Sequence, residues 1–288
     1  MSGKLQLEDQ TQLFSFLTHT IRNTTSTGPT MIEQILDLTR DYLGKEYLNA
    51  SLYKAINYLS RLLANFNYIN NMLDTFKLLI QEPETFRTRW NQDNGGTVNQ
   101  DYLLGVILKQ VLNRICFEEQ SQPFKRLLAL QSTYTIKEIR QSFLSMILTS
   151  ESEADSFAQI SAWLKEYFPV IEIKKTGKPI YFNVSGVRFN FFFAVISEIV
   201  FNAFKYSDGI IRLEWKVTDG QSVVSCSNTF SEASRKKSSG SQKGLSLIEH
   251  LIKLIDGAKI TIDGTDNTHF LVNFYTTIPN GDAQTLRK

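Results

Sequence analysis

Two long heptad-type seams open the chain. In the first, Phe14, Leu17, Ile21, Met31, Ile35, Leu38 and Tyr42 fall on alternating steps of three and four, with Thr24 and Gly28 in two weak places of the series. In the second, Leu52, Ile56, Leu59, Leu63, Phe66 and Leu73 do the same, with Asn70 as a polar member and Phe76 a further three residues on. Such spacing predicts two helices that meet along one stripe. Gly44 and the polar residues up to Ser51 supply the turn, so residues 1–82 are expected to form an antiparallel helical hairpin. One hairpin leaves its apolar stripe open. Pairing into a four-helix bundle covers it, most simply as a homodimer.

The stretch from Glu82 to Gly96 holds Pro83, Gly95, Gly96 and many polar residues and is expected to be a break. Residues 100–150 are expected to be mostly helical, around Tyr102, Leu103, Val106, Ile107, Leu112, Phe143, Met146 and Leu148. They form a connecting region, 83–150, that ends at the acidic run Ser150 to Asp155. From there, in residues 151–288, the pattern alternates. A helix is expected over Ile160–Tyr167, strands at Val170–Ile173 and Tyr181–Val184, and a strongly apolar helix over Val187–Tyr206. Strands follow at Ile210–Val217, Ser222–Ser227, Lys259–Asp263 and Phe270–Thr277, with a helix over Leu245–Ile255 among them. The whole predicts an α+β protein: a helical hairpin followed by an α/β sandwich, one sheet covered by helices.

Within the apolar helix, Glu198, Asn202 and Lys205 are spaced by four and three and share one face. A carboxylate, an amide and an ammonium side by side suit a metal-bound triphosphate. The amide oxygen is a hard ligand of the kind Mg²⁺ prefers, the ammonium neutralises phosphate, and the carboxylate accepts a proton or orients a nucleophile. The competing reading is a solvated face on a buried helix. Downstream, Gly240-Ser241-Gln242-Lys243-Gly244-Leu245 opens the next helix. Amide N–H groups at a helix start bind anions, and glycine lets backbone approach a phosphate closely. Lys243 stands at that mouth. Before it, Asn228 to Ser239 carries Arg235, Lys236 and Lys237 among serines, a loop suited to close over a charged nucleotide or to be plain surface.

Residues 156–279 resemble the ATP-binding domain shared by histidine kinases and gyrase. Glu198-x-x-x-Asn202-Ala203-x-Lys205-Tyr206-Ser207 resembles the N box, and Gly244-Leu245-Ser246-Leu247 the second glycine box. Leu254 to Ile260, followed by Phe270 to Pro279, is similar to the closing helix and hairpin. The resemblance implies that ATP and Mg²⁺ are bound, with Asn202 on the metal, Glu198 at the attacking group, and Lys205, Tyr206, Lys243, Gly244 and Leu245 along the nucleotide. It departs in two places. The family's aspartate-x-glycine-x-glycine motif is replaced by Cys226-Ser227-Asn228-Thr229-Phe230, and the later box carries Ser246 where a glycine is usual. Asn228 can accept a hydrogen bond from the adenine amino group through its side-chain oxygen. Altered or weakened nucleotide binding is one consequence of these departures.

Phe16-Leu17-Thr18-His19-Thr20-Ile21-Arg22-Asn23 resembles the phosphoacceptor box of a histidine kinase. Leu17 and Ile21 lie on the seam, and His19 lies about 200° around the helix from Leu17, away from the core. An ordinary solvated histidine is the competing reading. The resemblance implies that His19 takes the γ-phosphate and that Asn23 holds the position which, in the family, places water for dephosphorylating a partner. Thr20 replaces the usual acidic neighbour, and the family's proline five residues on is absent.

Composition narrows the alternatives. A net charge of +2 offers no broad basic field, so nucleic acid is not expected as a partner. Cys116 and Cys226 have no metal-type spacing, and His250 and His269 join no ligand cluster, which points to a reducing, cytoplasmic setting. No apolar run that would insert in a bilayer is expected. Three functions follow as expectations. The first is a cytoplasmic, dimeric histidine kinase of a two-component signalling system, passing phosphate from ATP to His19 and then to an aspartate on a response-regulator receiver domain. The second is a non-catalytic adaptor or scaffold on the same fold. The third is a phosphotransfer protein that receives phosphate on His19 from a partner.

Overall fold

A computed structural model of the chain describes residues 74–79, 81–93, 96–117, 128–129, 133–149, 156–184, 186–218, 220–230, 248–249, 251–263 and 269–277. The expected hairpin over 1–82 lies outside these residues, apart from its last turns. In chain order the elements are α1 (Pro83–Gln92), β1 (Val98–Asn99), α2 (Gln100–Phe117), α3 (Ile136–Thr149), α4 (Ser156–Tyr167), β2 (Ile171–Gly177), β3 (Tyr181–Phe182), α5 (Val187–Tyr206), β4 (Ile211–Thr218), β5 (Gln221–Thr229), β6 (Ala258–Asp263) and β7 (His269–Thr277).

The sheet has the order β2-β4-β5-β7-β6. Only β2 runs parallel to its neighbour, β4, and the other pairings are antiparallel. Alternation along β4 sends Ile211, Leu213, Trp215 and Val217 inward and leaves Arg212, Lys216 and Thr218 exposed. In β5, Ser222, Val224, Cys226 and Asn228 are the buried set. This two-fold period marks a sheet with one face on the core and one in solvent. On the outer face Arg212 meets Glu172 of β2 at 2.8 Å. On the inner face the Trp215 indole N–H donates to the Ser222 hydroxyl at 2.8 Å, which satisfies both groups without water. β2 stops at Gly177, where φ is +95° and an added Cβ would lie 1.8 Å from the Val217 carbonyl oxygen.

α5 runs across the inner face, against β4 and β5. Its other side is covered by α1 and α2, and α2 also packs on α4, which lies against β2. Burial on all sides accounts for its composition: 89% of an 18-residue window with mean hydropathy 1.5 is buried. Among the described residues it is the helix long and apolar enough to cross a membrane, and here it is the core of the fold. The expected bounds, Val187–Tyr206, match those observed. Its start lacks a side-chain cap of its own. Asp93 provides one from a distance, its Oδ2 accepting the Arg188 N–H at 3.0 Å. A carboxylate suits the positive end of a helix.

The stretch expected to be a break from Glu82 to Gly96 instead contains α1. Pro83 sits in its first turn, where the missing N–H costs nothing because no helical acceptor faces it. Phe86 and Trp90 then fall one turn apart and are buried against α5. The helical expectation for residues 100–150 holds over α2 and α3. Asn99 caps α2, its Oδ1 accepting from the N–H groups of Asp101 and Tyr102 at 3.0 and 3.2 Å. Thr135 and Glu138 form a reciprocal capping box at α3: the Thr135 N–H donates to Glu138 Oε2 at 2.7 Å, and the Glu138 N–H to Thr135 Oγ1 at 3.3 Å. The Thr135 N–H, reinforced by its hydroxyl, holds the Glu138 carboxyl below its ordinary range. One continuous core runs from Phe76 and Leu79, through α1, α2 and α3, to the sheet.

Both cysteines belong to this core, Cys116 at 0% and Cys226 at 2% exposure. Burial pushes both thiols up from 9.0 to about 12, with Arg140 opposing the shift at Cys116. Neither thiol is therefore expected to react with a disulfide reagent at pH 8 in the folded chain, while both react in urea. The folded state holds these protons more tightly than the unfolded state. The stability this represents is complete below pH 9 and falls as pH rises from about 9 toward about 12. A Cys226→Ala variant is expected to show a shallower decline in urea midpoint between pH 9 and 11. An equal slope would contradict the assignment.

Candidate nucleotide site at the end of the core helix

The last turns of α5 carry the residues singled out by spacing. Asn202 is buried, at 7% exposure, while Glu198, Lys205 and Tyr206 are half-buried. Asn202 is thus not solvated, while its neighbours on the same face keep part of their surface in water. The Asn202 amide Nδ2 donates to Glu198 Oε1 at 3.0 Å. This i, i+4 bond commits the nitrogen of the amide and leaves Oδ1 as a hard oxygen ligand. Lys205 Nζ lies 5.1 Å from the centroid of the Tyr206 ring, a cation–π contact within one turn.

The helix ends in a turn that ties these residues to the sheet. Ser207 is fully buried, and its hydroxyl lies 3.1 Å from the Gly209 carbonyl and 3.2 Å from that of Thr229, while accepting the Gly209 N–H at 3.2 Å. The Asp208 N–H donates to the Thr229 carbonyl at 3.0 Å, and the Thr229 N–H to that of Ile210 at 3.1 Å. Gly209 permits this approach, since an added Cβ would lie 2.3 Å from Thr229 Oγ1. The end of β5 is thereby fixed beside the end of α5. Asn228, one residue before Thr229, is buried at 3% exposure on the inward face of β5. Among the described residues its Nδ2 has no hydrogen-bond partner.

The structure thus brings Glu198, Asn202, Lys205, Tyr206 and Asn228 to one end of the sandwich. Ser207 and Gly209 were not singled out for a role in the sequence, although Ser207 closes the N-box pattern. A Ser-x-Gly turn directly after an apolar helix was the available signal. His269 opens β7 opposite Thr229, at this same end. His19, Asn23, Lys243, Gly244, Leu245 and the serine-rich loop lie outside the described residues.

The donor set fits a magnesium-bound triphosphate. No group of three or more His, Cys, Asp and Glu side chains among the described residues is placed to hold a metal. A cation here would rely on Asn202 Oδ1 together with phosphate oxygens and water, the arrangement Mg²⁺ favours over an all-protein cage.

No family model matches the sequence, and no curated protein matches it. Solved structures of histidine kinase domains are similar to this chain. The Acinetobacter baumannii histidine kinase AdeS is 12% identical over 91% of this chain and 98% of its own, with a TM-score of 0.32. The histidine kinase domain of the Erythrobacter litoralis EL346 blue-light activated histidine kinase is 12% identical over 64% of this chain and 94% of its own, with a TM-score of 0.31. The catalytic domain of histidine kinase ThkA is 16% identical over 42% of this chain and 88% of its own, with a TM-score of 0.31.

Proposed function

We propose that this chain is the core of a cytoplasmic, dimeric histidine kinase that moves the γ-phosphate of ATP to His19 and then to an aspartate on a response-regulator receiver domain. The observation that carries the reading is the buried Asn202 amide, bonded through its nitrogen to Glu198 so that its oxygen remains for a cation. Asn202 Oδ1 would hold Mg²⁺, which would supply neutralisation of the phosphate charge there. Lys205 binds phosphate from the same face. Glu198 accepts the proton released when an imidazole nitrogen of His19 forms its bond to phosphorus and the bond to the ADP oxygen breaks. Tyr206 and Asn228 border the nucleoside, and Lys243, Gly244 and Leu245 offer a cationic, N–H-rich helix start to the phosphates. Asn23, four residues from His19, suits a dephosphorylating role toward the receiver domain.

The test is direct. The purified chain is incubated with Mg-ATP labelled on the γ-phosphate, and the label is challenged with acid. Acid-labile, alkali-stable label on the chain is expected, transferable to a receiver domain. Calorimetry that shows no nucleotide binding, with the fold and dimer intact, would overturn the kinase reading. Asn228, which stands where an aspartate is usual, favours one second reading: a non-catalytic adaptor that binds nucleotide or a receiver domain without transfer. Tight Mg-ATP binding followed by turnover counts against it.

A further inference from the structure

Asn228 is the last inward residue of β5, and among the described residues its amide donor has no acceptor. Its lateral neighbours on the sheet are Ile211 of β4 and Phe270 of β7, neither of which has a side-chain acceptor. The inward set on the same strand contrasts with it. The Ser222 hydroxyl takes the Trp215 indole, and Val224 and Cys226 are content in an apolar core. A buried amide donor without an acceptor is unfavourable, so its persistence at the corner shared with the α5 turn points to a ligand that completes it.

We infer that Asn228 reads the base of the bound nucleotide and admits a 6-oxopurine, hypoxanthine or guanine, at least as well as adenine. This rests on the nucleotide reading above. The warrant is the donor and acceptor inventory of an amide. A carboxylate at this position only accepts, so it takes the adenine 6-amino group and repels a 6-oxo oxygen. An amide presents an N–H donor beside a carbonyl acceptor. The unpartnered Nδ2 donates to the 6-oxo oxygen while Oδ1 accepts from the neighbouring ring N–H of the same base. Turned over, the amide meets the adenine edge equally well. Discrimination against the 6-oxo group, which a carboxylate enforces by repulsion, is therefore missing from this chain.

The deciding experiment measures binding of Mg-ATP, Mg-ITP and Mg-GTP to the full chain by calorimetry, since ATP and ITP differ only at the purine 6-position and the adjoining ring nitrogen. ITP is expected to bind no more weakly than ATP. In Asn228→Asp the ITP-to-ATP affinity ratio is expected to fall about tenfold or more, because an acceptor then faces an acceptor. Preference of the unaltered chain for ATP by more than about tenfold overturns the inference without touching the nucleotide reading. An unchanged ratio in a folded Asn228→Asp chain does the same. Absence of binding by all three nucleotides removes the nucleotide reading and this inference with it. The ratio in the unaltered chain decides the matter even if the variant does not fold.

Discussion

Replacing Asn202 with alanine is expected to lower phosphorylation of the chain at least about a hundredfold, the scale on which a pre-positioned electrostatic contact in phosphoryl or acyl transfer is lost. On the proposed reading the variant removes the oxygen that Asn202 would offer to a cation, and with it the dependence of nucleotide affinity on Mg²⁺. Binding of Mg-ATP should fall toward that of ATP in chelator, which calorimetry reads without any need for turnover. Folding should survive. The bond lost is one side-chain pair at 3.0 Å, and its Glu198 end is half-buried and able to take water instead. A loss of about 1 kcal/mol is the expected scale. Glu198→Gln gives the complementary result. Its amide oxygen still accepts the Asn202 Nδ2, so Mg-ATP binding is retained, but the proton acceptor is gone and transfer falls. If Asn202→Ala bound Mg-ATP as tightly as the unaltered chain, the helix face would be structural and the proposed site would be wrong.

The candidate site was legible because polar residues break the apolar pattern there. α5 is apolar along most of its length, so a Glu, an Asn and a Lys on one stripe of it stand out against the burial that the remaining residues demand. The helix bounds were legible for a related reason. Gly186 precedes the apolar run, and the Ser-x-Gly turn after Tyr206 ends it. Other elements were hidden. β2 was expected to end at Ile173 and runs to Gly177, through Lys174, Lys175 and Thr176. Its parallel pairing with β4 holds these polar residues in the sheet, and Lys175 pairs with Asp101 on α2 and lies 4.5 Å from the Phe157 ring centroid. No local period announces partners so far away in sequence. α1 was hidden by Pro83, which marks a helix start as readily as a break. The two-residue strands β1 and β3 pair across more than eighty residues and have no length in which to show alternation. The corner at Asn228 was read as an acceptor for an adenine amino group. The structure adds that the buried atom without a partner among the described residues is the donor, which follows from packing at the end of β5 and not from residue type.

Phe191→Ala is expected to destabilise the fold by about 3–5 kcal/mol, the range for deleting a buried aromatic ring. The ring is fully buried on α5 and is the meeting point of two parts of the core. Its centroid lies 6.4 Å from Phe76, 6.4 Å from Phe86 and 5.6 Å from Trp90 on one side, and 6.4 Å from Phe274 of β7 on the other. Residues 74–79 and α1 thus reach the sheet through this side chain. One residue earlier, the Asn190 Nδ2 donates to Thr75 Oγ1 at 3.2 Å, a buried polar link that fixes the register of the same contact. Truncation leaves a cavity that rings packed edge-to-face cannot collapse into without losing their own contacts. Phe191→Leu, which keeps much of the volume, should cost less than about half as much. Urea unfolding of the two variants measures this, with an unchanged denaturant slope indicating that the same folded unit is lost. Position 191 lies about 10 Å along the helix from Glu198, at a rise of about 1.5 Å per residue. Folded Phe191→Leu should therefore bind Mg-ATP normally. A loss below about 1 kcal/mol for the alanine variant would mean that residues 74–79 and α1 are not joined to the sheet through Phe191, and the continuous core described above would have to be divided there.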